Sequence, residues 1–267
     1  MTKGNGMAGT IRTGMAGWVF PEWRGGQFYP EGLKQKDELG WASRHVTAIE
    51  INATFYRNQK PESFAAWAAQ TPADFRFTVK GNQTVTHIKR LKDVEEPLTL
   101  FFASVTALGE RLGAVCWQLP GNLKFDAERL ARFLALLPTG IRQAIEVRSP
   151  SFATPQVLDM LAARNVALVI ADTAEWPWLD QTPDFAYCRL QGPPGGDHYG
   201  AAGLDLWAER CAALATGKPL SGEHIAPAKG KQPARDVFAY FVSTDKPNAP
   251  RNALGLQQRL DITPAAE

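Results

Sequence analysis

The sequence predicts an α/β protein of the (β/α)8 TIM type, a closed barrel of parallel strands in a single domain spanning residues 1–267. Three observations carry this. Short apolar or alternating runs recur along the whole chain, and most are separated by amphipathic helical patterns, the rhythm of parallel βαβ units. A chain of 267 residues is the usual size for eight such units in one domain. No Gly-x-Gly-x-x-Gly follows the first strand, so the open doubly wound sheet lacks its usual phosphate loop.

The first strand is expected at Ile11–Gly17, after a Gly-rich leader. An aromatic loop, WVFPEWRGGQFYPEG, follows, and Leu33–Arg44 has the pattern of a helix. The second strand lies in AIEINATFYR, Ala48–Arg57, where Glu50, Asn52 and Thr54 share one phase of an extended segment that then spills into Phe55, Tyr56 and Arg57, part of the wall over the ligand. Pro61 opens the next helix, with Phe64, Trp67 and Ala68 on its apolar face and Thr71-Pro72 as its stop. FRFTVK, Phe75–Lys80, is the third strand and ends on Lys80.

Pro97 to Leu112 reads as helix and Ala114–Leu119 as the fourth strand, with Cys116 and Gln118 in phase. Asp126 caps a helix whose Leu130, Phe133, Leu134 and Leu137 recur at i, i+3, i+4 and i+7. Gln143–Arg148 is the fifth strand, with Glu146 and Arg148 in phase, and Thr154-Pro155 starts the next helix. VALVIAD, Val166–Asp172, is an almost wholly apolar sixth strand, the pattern of a buried parallel strand, and ends in an acid. The connection after it, TAEWPWLDQTPD, is short and broken by proline, so one outer helix is expected to be missing here. Phe185–Leu190 is the seventh strand, with Tyr187, Arg189 and Gln191 in phase. A Gly-Pro loop to Gly203 follows, then a helix marked by Leu204, Trp207, Cys211 and Leu214. Asp236–Ser243 is the eighth strand and Asn252–Leu260 the closing helix; residues 1–9 and 262–267 read as flexible ends.

Composition narrows the function classes. A net charge of +2 with 21% charged residues implies no general attraction to nucleic acid or membrane. Three scattered cysteines do not make a zinc ribbon or a disulfide framework. The start lacks the apolar core of a secretory signal and no run has the length of a spanning helix, so a cytoplasmic location is expected.

Barrel enzymes carry their sites at the C-terminal ends of the strands. Here that rule gathers Glu50, Asn52, Lys80, Gln118, Glu146, Arg148, Asp172, Arg189 and Gln191, with Trp18, Trp23, Arg24, Tyr56 and His87 from neighbouring loops. Glu146 and Asp172 are the proton-transfer candidates. Lys80 is a catalytic candidate too, as a Schiff-base nucleophile if burial lowers its pKa. The remaining residues are assigned to substrate, a small anionic or sugar-like molecule gripped by guanidinium forks and aromatic faces. A desolvated ion-pair network that only closes the barrel is the alternative reading of the same charges. No metal and no organic cofactor is expected, with Mg2+ held by carboxylates and phosphate as the fallback and His87 and His198 as the imidazoles nearest the rim. Two further readings are a nucleic-acid-binding module or phosphodiesterase using Arg24, Arg57, Lys89 and Arg90, and a non-catalytic ligand sensor.

Several segments together carry a resemblance: Gly14–Trp18, Pro21–Gly25 (PEWRG), Phe28–Pro30 (FYP), Glu50–Arg57 (EINATFYR), Arg76–Lys80 (RFTVK), Thr86-His87, Gln118–Pro120 (QLP), Glu146–Phe152 (EVRSPSF) and Ala171-Asp172. The chain resembles the YecE-like family, domain of unknown function 72. The resemblance implies a TIM-type barrel and no defined reaction. After the seventh strand the family usually resembles RLHG, whereas this chain reads RLQG with Gln191, and its eighth strand ends FVST where an Asn pair is typical. Glutamine does not titrate near neutral pH, so it does not replace an imidazole as a proton shuttle.

Overall fold

A computed structural model describes residues 8–182, 184–192, 199–227, 230, 232–242 and 246–265. The strands are β1 (Ile11–Ala16), β2 (Ala48–Ile51), β3 (Arg76–Lys80), β4 (Leu112–Gln118), β5 (Gln143–Glu146), β6 (Val166–Leu168), β7 (Ile170–Ala171), β8 (Phe185–Leu190) and β9 (Asp236–Phe241). All pair in parallel, in the order β6-β5-β4-β3-β2-β1-β9-β8-β7. The two ends of this order, β6 and β7, are successive pieces of one stretch, so the sheet closes on itself.

The expected sixth strand is therefore real but broken at Val169, whose N–H still reaches the Ile145 carbonyl at 3.0 Å. Below the break β8 has not yet begun, and Thr182 serves in its place. Its hydroxyl donates to the Val166 carbonyl at 2.5 Å and accepts from the Leu168 N–H at 3.1 Å. That satisfies the backbone groups a missing strand would leave bare.

The surrounding helices are α1 (Glu38–Ala42), α2 (Ala53–Tyr56), α3 (Pro61–Ala69), α4 (Glu95–Val105), α5 (Ala127–Leu136), α6 (Pro155–Ala162), α7 (Ala201–Thr216) and α8 (Ala249–Arg259). Asp126 caps α5 by accepting from the Arg129 N–H at 3.0 Å, and Thr154 caps α6 through the Val157 N–H. Among the described residues no helix occupies 172–182, in line with the expected missing element. That segment is a strap instead, pinned by Leu179 N–H on Glu223 and by Asp180, whose carboxylate accepts from Ile225 and Ala226. The helix expected over 33–44 shortens to a 3-10 turn at Gln35–Asp37 and α1. Lys34 is extended, and the preceding chain folds under Trp41, whose indole N–H donates to the Phe28 carbonyl.

Strand phase divides the apolar residues into two cores. Outward-facing side chains such as Ile49, Phe77, Trp117, Ile145 and Cys188 pack under the helices. The inward set is Ala48, Ala114, Cys116, Ala144, Ala167, Val169, Phe185, Tyr187, Phe238 and Tyr240. This interior is lopsided. Small side chains come from β2, β4, β5 and β6, and the four rings of β8 and β9 lean into the space they leave. Gly14 of β1 belongs to the small side, because a Cβ there would stand 1.7 Å from the Ala48 carbonyl oxygen. All three cysteines are buried and unpaired with one another. Among the described residues no helix is long and apolar enough to cross a membrane.

Part of each end expected to be flexible is anchored: Gly9 donates to Ala215 and Ile262 to Gln257. The remainder, residues 1–7 and 266–267, lies outside the described residues, as do Ser243 and Thr244 at the end of the expected eighth strand.

Candidate functional site

Inward phase determines which strand-end residues meet. Glu50 lies beside Thr78, Lys80 beside Cys116, Gln118 beside Glu146, and Arg189 beside both Ala171 and Tyr240. These five polar side chains share the C-terminal end of the barrel axis.

Arg189 is their centre and is 4% exposed. Its Nε and Nη2 donate to the two oxygens of Glu50 at 3.0 and 2.9 Å, and its Nη1 donates to Glu146 Oε2. Burial alone would lower the pKa of this guanidinium, but Glu146 and Glu50 outweigh it and hold the charge firmly. Glu146 Oε1 accepts in turn from Gln118 Nε2 at 2.8 Å and Arg148 Nε at 3.0 Å. Burial pushes the Glu146 carboxyl up; Arg189, Arg148 and Gln118 overcome that and leave it below the usual range. Tyr187 donates to Glu50 Oε2 at 2.7 Å and is itself bonded to Thr78. Both carboxylates are thus spent on fixed partners.

Lys80 is left over. Among the described residues no carboxylate lies within 4 Å of its ammonium, which sits over the Phe55 ring at 4.3 Å. Burial lowers its pKa first and the adjacent Arg189 charge adds to that. His87 also meets Phe55, the two rings perpendicular with centroids 5.0 Å apart, and its Nδ1 is 2.8 Å from the Thr86 hydroxyl. Burial, then Lys80, Arg148 and Arg90, lower its pKa, so the imidazole is neutral in a positive field.

Sequence phase missed two members. Lys246, beyond β9, lies over Phe20 at 5.1 Å; burial lowers its pKa, and it feels both Glu50 and Arg189, which puts a further cation at this end. It stands in an irregular segment with no periodicity to betray it. Phe55, read only as part of a wall, is the ring that joins Lys80 to His87.

The other candidates fall elsewhere. Asn52 leaves the extended phase because the backbone turns helical there, yet its Oδ1 is buried without a hydrogen-bond donor among the described residues. Asp172 follows Ile170 rather than Val169 in phase and misses the axial cluster. Its carboxylate accepts from the N–H groups of Gln191, at 2.6 Å, and Gly192, and from the Tyr199 hydroxyl, so it secures the segment after β8. Burial raises its pKa to about 6 against those backbone donors. Gln191 meets Asp172 through its backbone. Trp18 packs edge-on against Trp67, and Trp23 is fully buried with its indole N–H on the Lys246 carbonyl. Arg24 is bonded to Glu38 and Gln35, while Tyr56 is 74% exposed. Arg148 is exposed, with Nε on Glu146. His198 lies outside the described residues. Among the described residues no three His, Cys, Asp or Glu side chains converge as a metal set.

The molecule is therefore a parallel α/β barrel whose charged inward residues gather at the C-terminal end of the strands. The family model described as protein of unknown function DUF72 matches residues 12–267, and the chain belongs to that family. It is 32% identical over 143 residues to UPF0759 protein YecE of Escherichia coli K12, covering 53% of this chain and 50% of that protein. UPF0759 protein YunF of Bacillus subtilis is 28% identical over 153 residues, covering 54% and 53%. The chain thus spans about half the length of the curated relatives it matches. A crystal structure of a DUF72 family protein from Thermotoga maritima superposes with a TM-score of 0.79 at 26% identity, covering 95% of this chain and 100% of that one. One from Enterococcus faecalis gives 0.76 at 21% identity, covering 95% and 96%.

Proposed function

We propose that the C-terminal rim binds a small anionic or sugar-like molecule and transforms it by acid–base chemistry of the hydrolase or lyase type. The observation carrying this reading is Lys80, a half-buried ammonium with no carboxylate within 4 Å among the described residues, beside two carboxylates that Arg189 has already taken. A network that served only to close the barrel would pair that charge, because leaving it unpaired costs stability.

Lys80, Arg148 and Lys246 supply the charge that an anion neutralises, and the fork of Arg148 suits a carboxylate or phosphate. The Oδ1 of Asn52, without a donor among the described residues, suits a ligand hydroxyl. Lys80, its pKa lowered, is the proton carrier in this scheme; Glu146 orients Arg148 and Arg189, and Asp172 steadies the segment that follows β8. The chemistry needs no organic cofactor, since proton transfer lies within the range of these side chains.

The test is a thermal-shift survey of small carboxylates, sugar phosphates and sugars, followed by the same survey on K80M. A compound that stabilises the wild-type protein and not K80M supports the reading. If every stabilising compound acts equally on both, Lys80 is not part of a binding site and the reading fails.

A further inference from the structure

The opposite end of the barrel carries a second charged ring. Arg12 is in register with Phe238, Arg76 with Ala48, and Asp236 with Phe185, and each of those partners faces the interior. Arg142, two residues before inward-facing Ala144, completes the set. Their side chains line a cavity of about 440 Å³ at the N-terminal mouth, together with Gly109 and Gly113.

The charges in this ring do not balance. Asp236 is the one carboxylate among the described lining residues, and it is committed: Oδ2 to Arg142 Nη2 at 2.9 Å, Oδ1 to the Thr10 N–H at 2.9 Å. Arg142 also lies over the Phe185 ring, which fixes it further. Arg76 donates Nη1 to the carbonyls of Ala73 and Phe75 and, among the described residues, meets no carboxylate within 4 Å. Arg12 forms no ion pair among the described residues. Burial, then the neighbouring Arg12 and Arg111, push the Arg76 guanidinium below its ordinary pKa, while Asp74 and Glu110, outside the cavity lining, act the other way. Among the described lining residues three guanidiniums face one carboxylate, an excess of two positive charges towards the cavity. Stability does not call for such an arrangement, since like charges packed together oppose folding.

We propose that this N-terminal mouth is a binding site for a phosphorylated small molecule, separate from the C-terminal rim, gripped by Arg12 and Arg76 with Arg142 held in place by Asp236. A phosphoryl group brings close to two negative charges to one centre, matching the excess, and its oxygens accept the paired N–H groups of a guanidinium. A cavity of about 440 Å³ exceeds what a bare phosphate fills, so the ligand has a compact group attached to the phosphate.

Pyrophosphate is the probe, titrated calorimetrically at low salt into K80M/R148Q/K246M, a background that removes the three cations assigned to anion binding at the rim. One equivalent should bind, and adding R12Q should weaken it at least tenfold. Adding R76Q should do the same. Arg12 makes no ion pair within 4 Å among the described residues, so R12Q should keep the wild-type circular dichroism spectrum and decides the matter if R76Q fails to fold. The proposal is overturned if the background protein binds no pyrophosphate, if R12Q leaves binding unchanged, or if sulfate binds as tightly as pyrophosphate.

Discussion

Arg189 and Glu50 meet fork to fork, Nε on Oε2 at 3.0 Å and Nη2 on Oε1 at 2.9 Å, across a barrel interior closed to solvent. The third nitrogen of the same guanidinium holds Glu146, so one cation is bonded to two buried carboxylates, the second of them shared with Arg148. Removing it strands Glu50 and leaves Glu146 to Arg148 and Gln118. R189M should lose about 3–5 kcal/mol in urea unfolding at pH 7. The triple variant R189M/E50Q/E146Q should recover most of that loss, because the buried carboxylate charges are then gone. A loss under 1 kcal/mol for R189M alone would mean that the pair does not hold the barrel end together.

Lys80 should behave in the opposite way. Its ammonium is desolvated and repelled by Arg189, so K80M should be more stable than the wild type by about 1 kcal/mol while losing ligand-induced stabilisation. A folded-state pKa lowered from the ordinary lysine value makes this penalty grow as pH falls. The gain in K80M should therefore be larger at pH 7 than at pH 10, measured as a difference in urea midpoint.

Asp172 gives a pH dependence of defined sign. Its carboxyl ionises near pH 6 when folded and near 3.8 when unfolded. The folded state thus keeps the proton over that window, and the resulting stability is complete below pH 3.8 and lost as pH rises through 6. Discounted for partial exposure, the change is about 1 kcal/mol. Urea unfolding of wild type and D172N between pH 4 and 7 should show this decline only in the wild type. Parallel curves would place the proton elsewhere.

Gly81 follows Lys80 directly, and a Cβ there would stand 2.1 Å from the Trp117 ring. G81A should cost about 1–3 kcal/mol as an overpacked site and shift Lys80 with it. The cost should be smaller in a W117L background, a coupling that a double-mutant cycle measures directly.

The wall of this barrel was legible in its sequence because each strand alternates or runs apolar between clear stops. The caps at Asp126 and Thr154 followed from residue type alone. The strand ends were harder. VALVIAD is apolar on both faces, so nothing in it tells which phase Asp172 keeps, and the break at Val169 is set by the late start of β8. Lys246 sits in an irregular segment without periodicity. Arg12, Arg76 and Arg142 went unremarked, because each stands at or just before a strand's first residues, and only register across strands shows that they face one another.

The lopsided interior has a consequence for synthesis on the ribosome. Segments β1 to β7 emerge first, and the apolar residues they bring to the axis are glycine, alanine, cysteine and Val169, while the rings that fill it arrive with Phe185, Tyr187, Phe238 and Tyr240. A nascent chain ending before residue 185 has a wall with nothing to close around. The barrel is thus completed late, when its last two strands wedge into the hollow left by the others.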